Sequence, residues 1–195
     1  MISYSVLIGA AINIAGSFDY IRNTVAGRTK PNRVTFFLWA TASMIAAAAA
    51  FSEGHRWEVV PVFISGLMPL LIFCASFLNR NGHWQLQRFD YLCGAFSILA
   101  LILWRITHDA DIAIVFAILA DALAMIPTAR KAWTHPETET LSAYLCAAIS
   151  QFTAFIAAPE PSFAAYAFPV YLIFCCGGIG GILLYRRSKT TVSSL

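Results

Sequence analysis

The stretch IAIVFAILADALAMIPTA, Ile112–Ala129, decides the class of this protein. Its 18 residues hold one ionisable side chain, Asp121, and one proline, Pro127. A helix that crosses the hydrocarbon core of a bilayer needs roughly 20 mostly apolar residues, within a range of about 17–25. Six further runs flank it: Tyr4–Tyr20, Val34–Phe51, Val59–Leu78, Phe89–Trp104, Leu141–Ala158 and Phe163–Tyr185. The run Phe89–Trp104 is the shortest and contains Asp90. The sequence therefore predicts an all-α membrane protein with seven transmembrane helices.

Composition agrees with that class. Of 195 residues, 59% are hydrophobic and 12% charged, and the mean hydropathy is +0.69. A soluble domain carries about 25% charged residues. The connections between runs are short and leave no room for a soluble domain. No Lys or Arg precedes Ser17, so the first run lacks the basic start of a signal peptide. Cys74, Cys93, Cys146, Cys175 and Cys176 all fall inside apolar runs, where cysteine behaves as a small hydrophobe. His55, His83, His108 and His135 lie between runs with no metal-ligand spacing. No hydrolase, kinase or metallopeptidase motif is present. The expectation is a protein that is not an enzyme and uses no cofactor or metal.

Lys and Arg in short loops mark the cytoplasmic side of a membrane. Eleven of the 13 fall on alternate connections: Arg22, Arg28, Lys30 and Arg33, then Arg80 and Arg88, then Arg130 and Lys131, then Arg186, Arg187 and Lys189. Arg56 and Arg105 lie on the other side. This places the N-terminus outside and the C-terminus in the cytoplasm, which requires an odd number of crossings. The expected location is a bacterial inner membrane or a plasma membrane. The net charge of +3 is then a topology signal, with contact to anionic lipid as a secondary role and no nucleic-acid partner.

Two loop segments align at an offset of 105: Thr29-Lys30-Pro31-Asn32-Arg33-Val34-Thr35 with Thr134-His135-Pro136-Glu137-Thr138-Glu139-Thr140. In the same register Ile21 falls on Ile126 and Trp39 on Tyr144. Met68-Pro69-Leu70 resembles Phe168-Pro169-Val170, and both second helices are alanine-rich, at Ala46–Ala50 and Ala147–Ala148. The layout expected is a first three-helix repeat over 1–80, a linker helix over 81–108, and a second three-helix repeat with a short cytoplasmic tail over 109–195. One linker helix makes the two bundles parallel. Parallel repeats hold their site between the halves, near the bilayer midplane.

With Ile126-Pro127-Thr128-Ala129-Arg130-Lys131 followed by Thr138-Glu139-Thr140-Leu141-Ser142, the chain resembles the SWEET and PQ-loop superfamily of small seven-helix membrane transporters. Those proteins carry a Pro-Gln or similar pair near the cytoplasmic end of a triplet's first helix, then a basic stretch and a Ser/Thr-rich helix start. The pair here is Pro-Thr. The resemblance implies the 3+1+3 layout and alternating access, with prolines as flexing points. It does not extend to the third-helix asparagines that face sugar in SWEETs. The KDEL receptors share the layout and bind without transporting.

Polar groups at membrane depth are costly and mark function. Asn13, Ser43, Asp121 and Gln151 lie nine to ten residues into their runs, about 14 Å along the axis at roughly 1.5 Å per residue. They share one midplane level and are the candidate substrate-binding residues, Asp121 being the sharpest as a proton carrier or cation partner. Trp39 and Tyr144 join them as repeat-related aromatics, either gating the cavity or sitting in the interfacial aromatic belt. Asp19, within reach of Arg22 at helical spacing, and Pro69, Pro127 and Pro169 are the gate and hinge candidates. Asp90 and Asp111 read as helix N-caps, and Gly177 with Gly181 as a close-packing pair.

The functional expectation is a membrane transporter of a small polar solute, working by alternating access around this midplane site, with Asp121 the candidate for proton coupling. The alternative is a ligand-binding membrane receptor or sensor of the same fold. The expected partners are the solute and the lipid bilayer. Because both triplets are in one chain, a homo-oligomer is allowed but not needed to complete a cavity.

Overall fold

Each apolar run folds as an α-helix in the computed structural model, which describes residues 4–52, 54, 56–57, 59–78, 84–107, 110–158 and 162–192. The helices are α1 (Tyr4–Val25), α2 (Arg33–Ser52), α3 (Val60–Ala75), α4 (Arg88–Thr107), α5 (Ala110–Thr134), α6 (Leu141–Ala157) and α7 (Phe163–Val192). A short 3-10 turn, Pro136–Thr138, precedes α6, and no strand occurs among the described residues. The repeat boundaries expected at 80/81 and 108/109 lie outside the described residues, as do Arg80, His55, His83 and His108.

Among the described residues, four helices are long and apolar enough to cross a membrane: α1, α2, Asp111–Thr134 of α5 and Ala165–Lys189 of α7. Helices α3 and α6 are apolar but have 16 and 17 residues, or about 24–26 Å at a rise of roughly 1.5 Å each. Helix α4 has 20 residues and carries Arg88, Asp90 and Arg105. Helix α7 continues past Tyr185 to Val192. Arg186, Arg187 and Lys189 favour this, since cations suit a helix C-terminus.

The ends of the helices follow from local chemistry. Gly27 adopts φ 74° after α1, and the N–H groups of Gly27 and Arg28 bond the carbonyls of Thr24 and Asn23. This is a Schellman termination, in which glycine takes the left-handed position at low cost. Asn32 then caps α2, its Oδ1 accepting from the N–H groups of Val34 at 3.1 Å and Thr35 at 3.3 Å. Asp90 is the third residue of α4, and its carboxylate reaches back to the N–H of Gln87 at 2.7 Å. It thus works from inside the first turn, as the acidic half of a capping box does.

Helix α3 packs against both α1 and α2, and α7 packs against both α5 and α6. Helix α1 runs along α6, α2 along α5, and α4 lies mainly on α5. Small residues set these distances. Ala42, Ala46, Ala49 and Ala50 of α2 pack with Ala113, Ile114 and Ala117 of α5 and with Phe168 and Leu172 of α7. Small side chains let helix backbones approach closely, which is how helices associate where lipid competes for apolar surface.

The radial pattern is inverted relative to a soluble bundle. Tyr4, Leu78 and Phe174 are each at least three-quarters exposed. Asn13, Ser17, Ser43, Asp121 and Gln151 are buried. An apolar exterior around a polar interior is the arrangement a bilayer rewards, because polar groups facing hydrocarbon go unsatisfied.

The α1–α6 seam has the tightest tolerance. Gly9 faces Thr153, and a methyl at Gly16 would stand 2.6 Å from Cys146 Cβ and 2.9 Å from the Ser142 carbonyl oxygen. Gly178 on α7 has open space instead. Gly16→Leu is therefore expected to destabilise by about 1–3 kcal/mol or more through overpacking, while Gly178→Leu leaves stability near that of the unaltered protein. Thermal unfolding of the two variants in detergent checks this, and equal melting temperatures would count against the seam.

Candidate functional site

A cavity of about 60 Å³ lies where six helices meet. One water needs roughly 10–15 Å³ by this measure, so the space suits a molecule of a few heavy atoms. Helix α1 presents Asn13, Ser17 and Tyr20 to it, and α2 presents Phe36, Trp39 and Ser43. Spacings of three, four and seven residues put each trio on one helical face. Ser65, Pro69 and Ile72 of α3 continue the wall, and Asp121 of α5, Tyr144 of α6 and Cys175 and Cys176 of α7 complete it.

Five of the six substrate-binding candidates, Asn13, Trp39, Ser43, Asp121 and Tyr144, face this space. Gln151 stands behind it. Its Nε2 donates to Ser65 Oγ at 2.6 Å and to the Pro61 carbonyl at 3.0 Å. Asn13 Nδ2 donates to the same Ser65 oxygen at 3.1 Å, and Ser17 donates to Asn13 Oδ1 at 3.2 Å. Ser65 is thus the joint of a polar chain linking α1, α3 and α6. As the seventh residue of its run it falls short of the depth at which Asn13, Ser43, Asp121 and Gln151 align, so the sequence did not single it out. Ser17 and Tyr20 did leave one, since with Asn13 they form a polar stripe at helical spacing.

Asp121 is 1% exposed. Its Oδ2 accepts from the Tyr171 hydroxyl of α7 at 2.8 Å, while its Oδ1 is buried without a protein partner. The indole N–H of Trp39 donates to the main-chain carbonyl of the same residue at 3.2 Å. Trp39 and Tyr144 are both buried, which corrects the aromatic-belt reading: their rings point inward and meet edge-on at 6.4 Å. With Tyr20 and Phe36 they close a ring of four aromatics, Tyr20–Phe36 at 5.1 Å, Phe36–Trp39 at 5.3 Å and Tyr20–Tyr144 at 6.3 Å.

Below this aromatic floor sits Glu139. The hydroxyls of Tyr20 and Tyr144 donate to its Oε2 at 2.7 and 2.8 Å. Lys131 Nζ pairs with its Oε1 at 2.6 Å, both side chains being almost fully buried, and also donates to the Lys30 carbonyl. Arg187 of α7 donates to the Glu139 carbonyl at 2.6 Å and the Pro136 carbonyl at 2.9 Å. On the far side a cleft of about 320 Å³ is lined by Asp19, Asn23, Glu139, Ser142 and Arg187. The Tyr20–Glu139–Tyr144 bonds are the partition between cavity and cleft.

This corrects the reading of Lys131 as a topology signal on a loop: it is an interior ion-pair partner. Asp19 also differs from expectation. Its carboxylate accepts from Ser142 at 2.5 Å and from Asn23 at 3.2 Å, and Arg22 is exposed. Ser142 lies across the α1–α6 seam, so Asp19 links two helices and takes Asn23, not Arg22, as its partner along α1. Among the proline candidates, Pro69 lines the cavity, Pro127 lines a separate pocket with Trp84 and Arg130, and Pro169 is buried in α7.

The loop register also shifts. The second helices begin at Arg33 and Leu141, 108 residues apart, whereas the loops align at 105. The 3-10 turn Pro136–Thr138 accounts for the difference. Counted from the helix starts, Ser43 corresponds to Gln151 and Phe36 to Tyr144.

No protein-family model, curated protein or solved structure matches the chain.

Removing one partner of a buried ion pair costs about 3–5 kcal/mol, because the other charge is left uncompensated. Glu139→Leu is expected to lose stability on that scale, and adding Lys131→Met to recover part of it, since the Tyr20 and Tyr144 hydroxyls still lack their acceptor. Unfolding of the single and double variants in detergent measures the coupling. Additive losses would show that the pair is not the partition's main tie.

Proposed function

We propose that the protein is a membrane transporter of a small polar solute, working by alternating access around the Asp121 cavity. In this reading seven helices cross the membrane as two parallel three-helix units, α1–α3 and α5–α7, joined by α4. The chain is then akin to the SWEET and PQ-loop proteins, with its N-terminus outside and the Glu139 end in the cytoplasm. The packing supports the two units, since the third helix of each lies against the other two. The basic-residue asymmetry supports the orientation.

The observation that carries the proposal is the partition. A largely apolar cavity that holds Asn13, Ser43 and Asp121 and a polar cleft face each other across hydrogen bonds from Tyr20 and Tyr144 to Glu139. Opening requires no covalent change and no loss of a helix. Tyr20 belongs to the first unit, while Glu139, Lys131 and Tyr144 belong to the second, so rocking one unit against the other breaks the Tyr20 bond together with the Asp19–Ser142, Thr29–Thr140 and Lys30–Lys131 bonds at the same end. The present state is closed at the Glu139 end. Pro69 in the cavity wall interrupts the α3 hydrogen-bond ladder and is the natural flexing point beside the site.

Asp121 is the residue through which protons couple to movement, since it is a carboxyl at membrane depth with one free oxygen. The test is counterflow in proteoliposomes with small solutes such as glycerol, ethylene glycol and ethanolamine. Protein-dependent exchange of at least one is expected, and an imposed proton gradient is expected to change its rate. Asp121→Asn is expected to abolish the response to the gradient. Saturable binding of a solute without any counterflow would replace transport with a receptor role. Rates indifferent to the gradient in the unaltered protein would remove proton coupling.

A further inference from the structure

We infer that the Asp121 cavity selects a small organic ammonium ion over neutral polar solutes of the same shape. This rests on the reading of the cavity as the solute site. The argument begins with charge. Asp121 is the acidic residue in the cavity wall, and no Lys, Arg or His lines the cavity among the described residues. The nearest buried cation described, Lys131, is already paired with Glu139 below the aromatic floor. A carboxylate out of water must be neutralised or compensated. Tyr171 supplies one hydrogen bond, to Oδ2. Oδ1 remains buried with no protein donor.

Two kinds of visitor can neutralise that group. A proton removes the charge but converts one oxygen into a hydroxyl that needs an acceptor of its own. An ammonium ion supplies both the charge and the N–H donor that Oδ1 lacks, and charge-assisted hydrogen bonds of this kind are the stronger sort. A bare metal ion satisfies the charge but needs several oxygen ligands, and the rest of this wall is largely aromatic and aliphatic.

The walls fit the remainder of such a molecule. The Trp39 indole is held beside Asp121 by its bond to the Asp121 carbonyl, and Tyr144 meets it edge-on at 6.4 Å. Aromatic faces attract cations, tryptophan most strongly. Ser43, one turn along α2 on the face that carries Trp39, offers a hydroxyl to the polar end of the guest. The volume of about 60 Å³ limits the guest to a few heavy atoms.

Ethanolamine and ethylene glycol differ only by an ammonium in place of a hydroxyl, so they isolate the inference. Isothermal titration of the purified full chain in detergent is expected to show ethanolamine hydrochloride binding about tenfold or more tightly than ethylene glycol, the scale of one charged hydrogen bond. Sodium chloride at equal ionic strength is expected to give no comparable heat. Asp121→Asn is expected to erase the preference. Should that variant not fold, the comparison on the unaltered protein decides alone. Equal affinities, an equal response to sodium, or a preference retained in Asp121→Asn would each overturn the inference. The two readings fail separately: ammonium-selective binding without counterflow removes transport and keeps this site, whereas counterflow of neutral solutes with no ammonium preference does the reverse.

Discussion

Polar groups in this bundle must find partners inside it, because its outer faces are apolar. Glu139 shows how thoroughly that constraint is met. One carboxylate takes hydroxyls from α1 and α6 and an ammonium from α5, while its main-chain carbonyl takes the guanidinium of Arg187 on α7. Lys131 spends a further donor on the Lys30 carbonyl, just ahead of α2. Four helices and two loops therefore converge on a single residue. The aromatic ring above it is held in place from below, and the shape of the cavity depends on that floor.

Against this background the free oxygen of Asp121 stands out by contrast. Asn13, Ser17, Ser65 and Gln151 bond one another across three helices, and Glu139 has both oxygens occupied. Buried side-chain atoms without a hydrogen-bond partner also occur on Thr24, Asn32, Thr128, Ser150 and Gln151, but among these residues Asp121 alone is a carboxylate and alone lines the cavity. Structural polar groups are typically fully satisfied, and an exception needs an explanation. The proposed solute site supplies one for Asp121.

The helices were legible because hydropathy is a local property and the seven apolar runs are separated by loops of distinct composition. Asn13, Ser43 and Asp121 were legible because a polar residue in an apolar run is conspicuous, and helical rise converts its position into depth. What escaped was pairing across the chain. Lys131 and Glu139 are separated by a 3-10 turn, so no helical spacing relates them, and Lys131 beside Arg130 reads as an ordinary basic loop. Ser65 is the seventh residue of its run, off the depth of nine to ten residues shared by Asn13, Ser43, Asp121 and Gln151, although two amides meet on its hydroxyl. The inward direction of Trp39 and Tyr144 depends on the rotation of α2 and α6, which a sequence near an interface leaves open between lipid and core.

The 3-10 turn before α6 has a consequence for symmetry. It places Glu139 in a loop position whose counterpart, in the loop alignment, is Val34, while the counterpart of Lys131 is Ala26. On the proposed two-unit layout, the Lys131–Glu139 tie is thus written in one half only. Two copies of the first three helices would bring two equivalents of Tyr20 together with no carboxylate to receive them. Two copies of the last three would bury two carboxylates and two ammonium groups with no Asn13 or Ser65 above. On the proposed two-unit layout the pair is unequal, and neither half could stand in for the other.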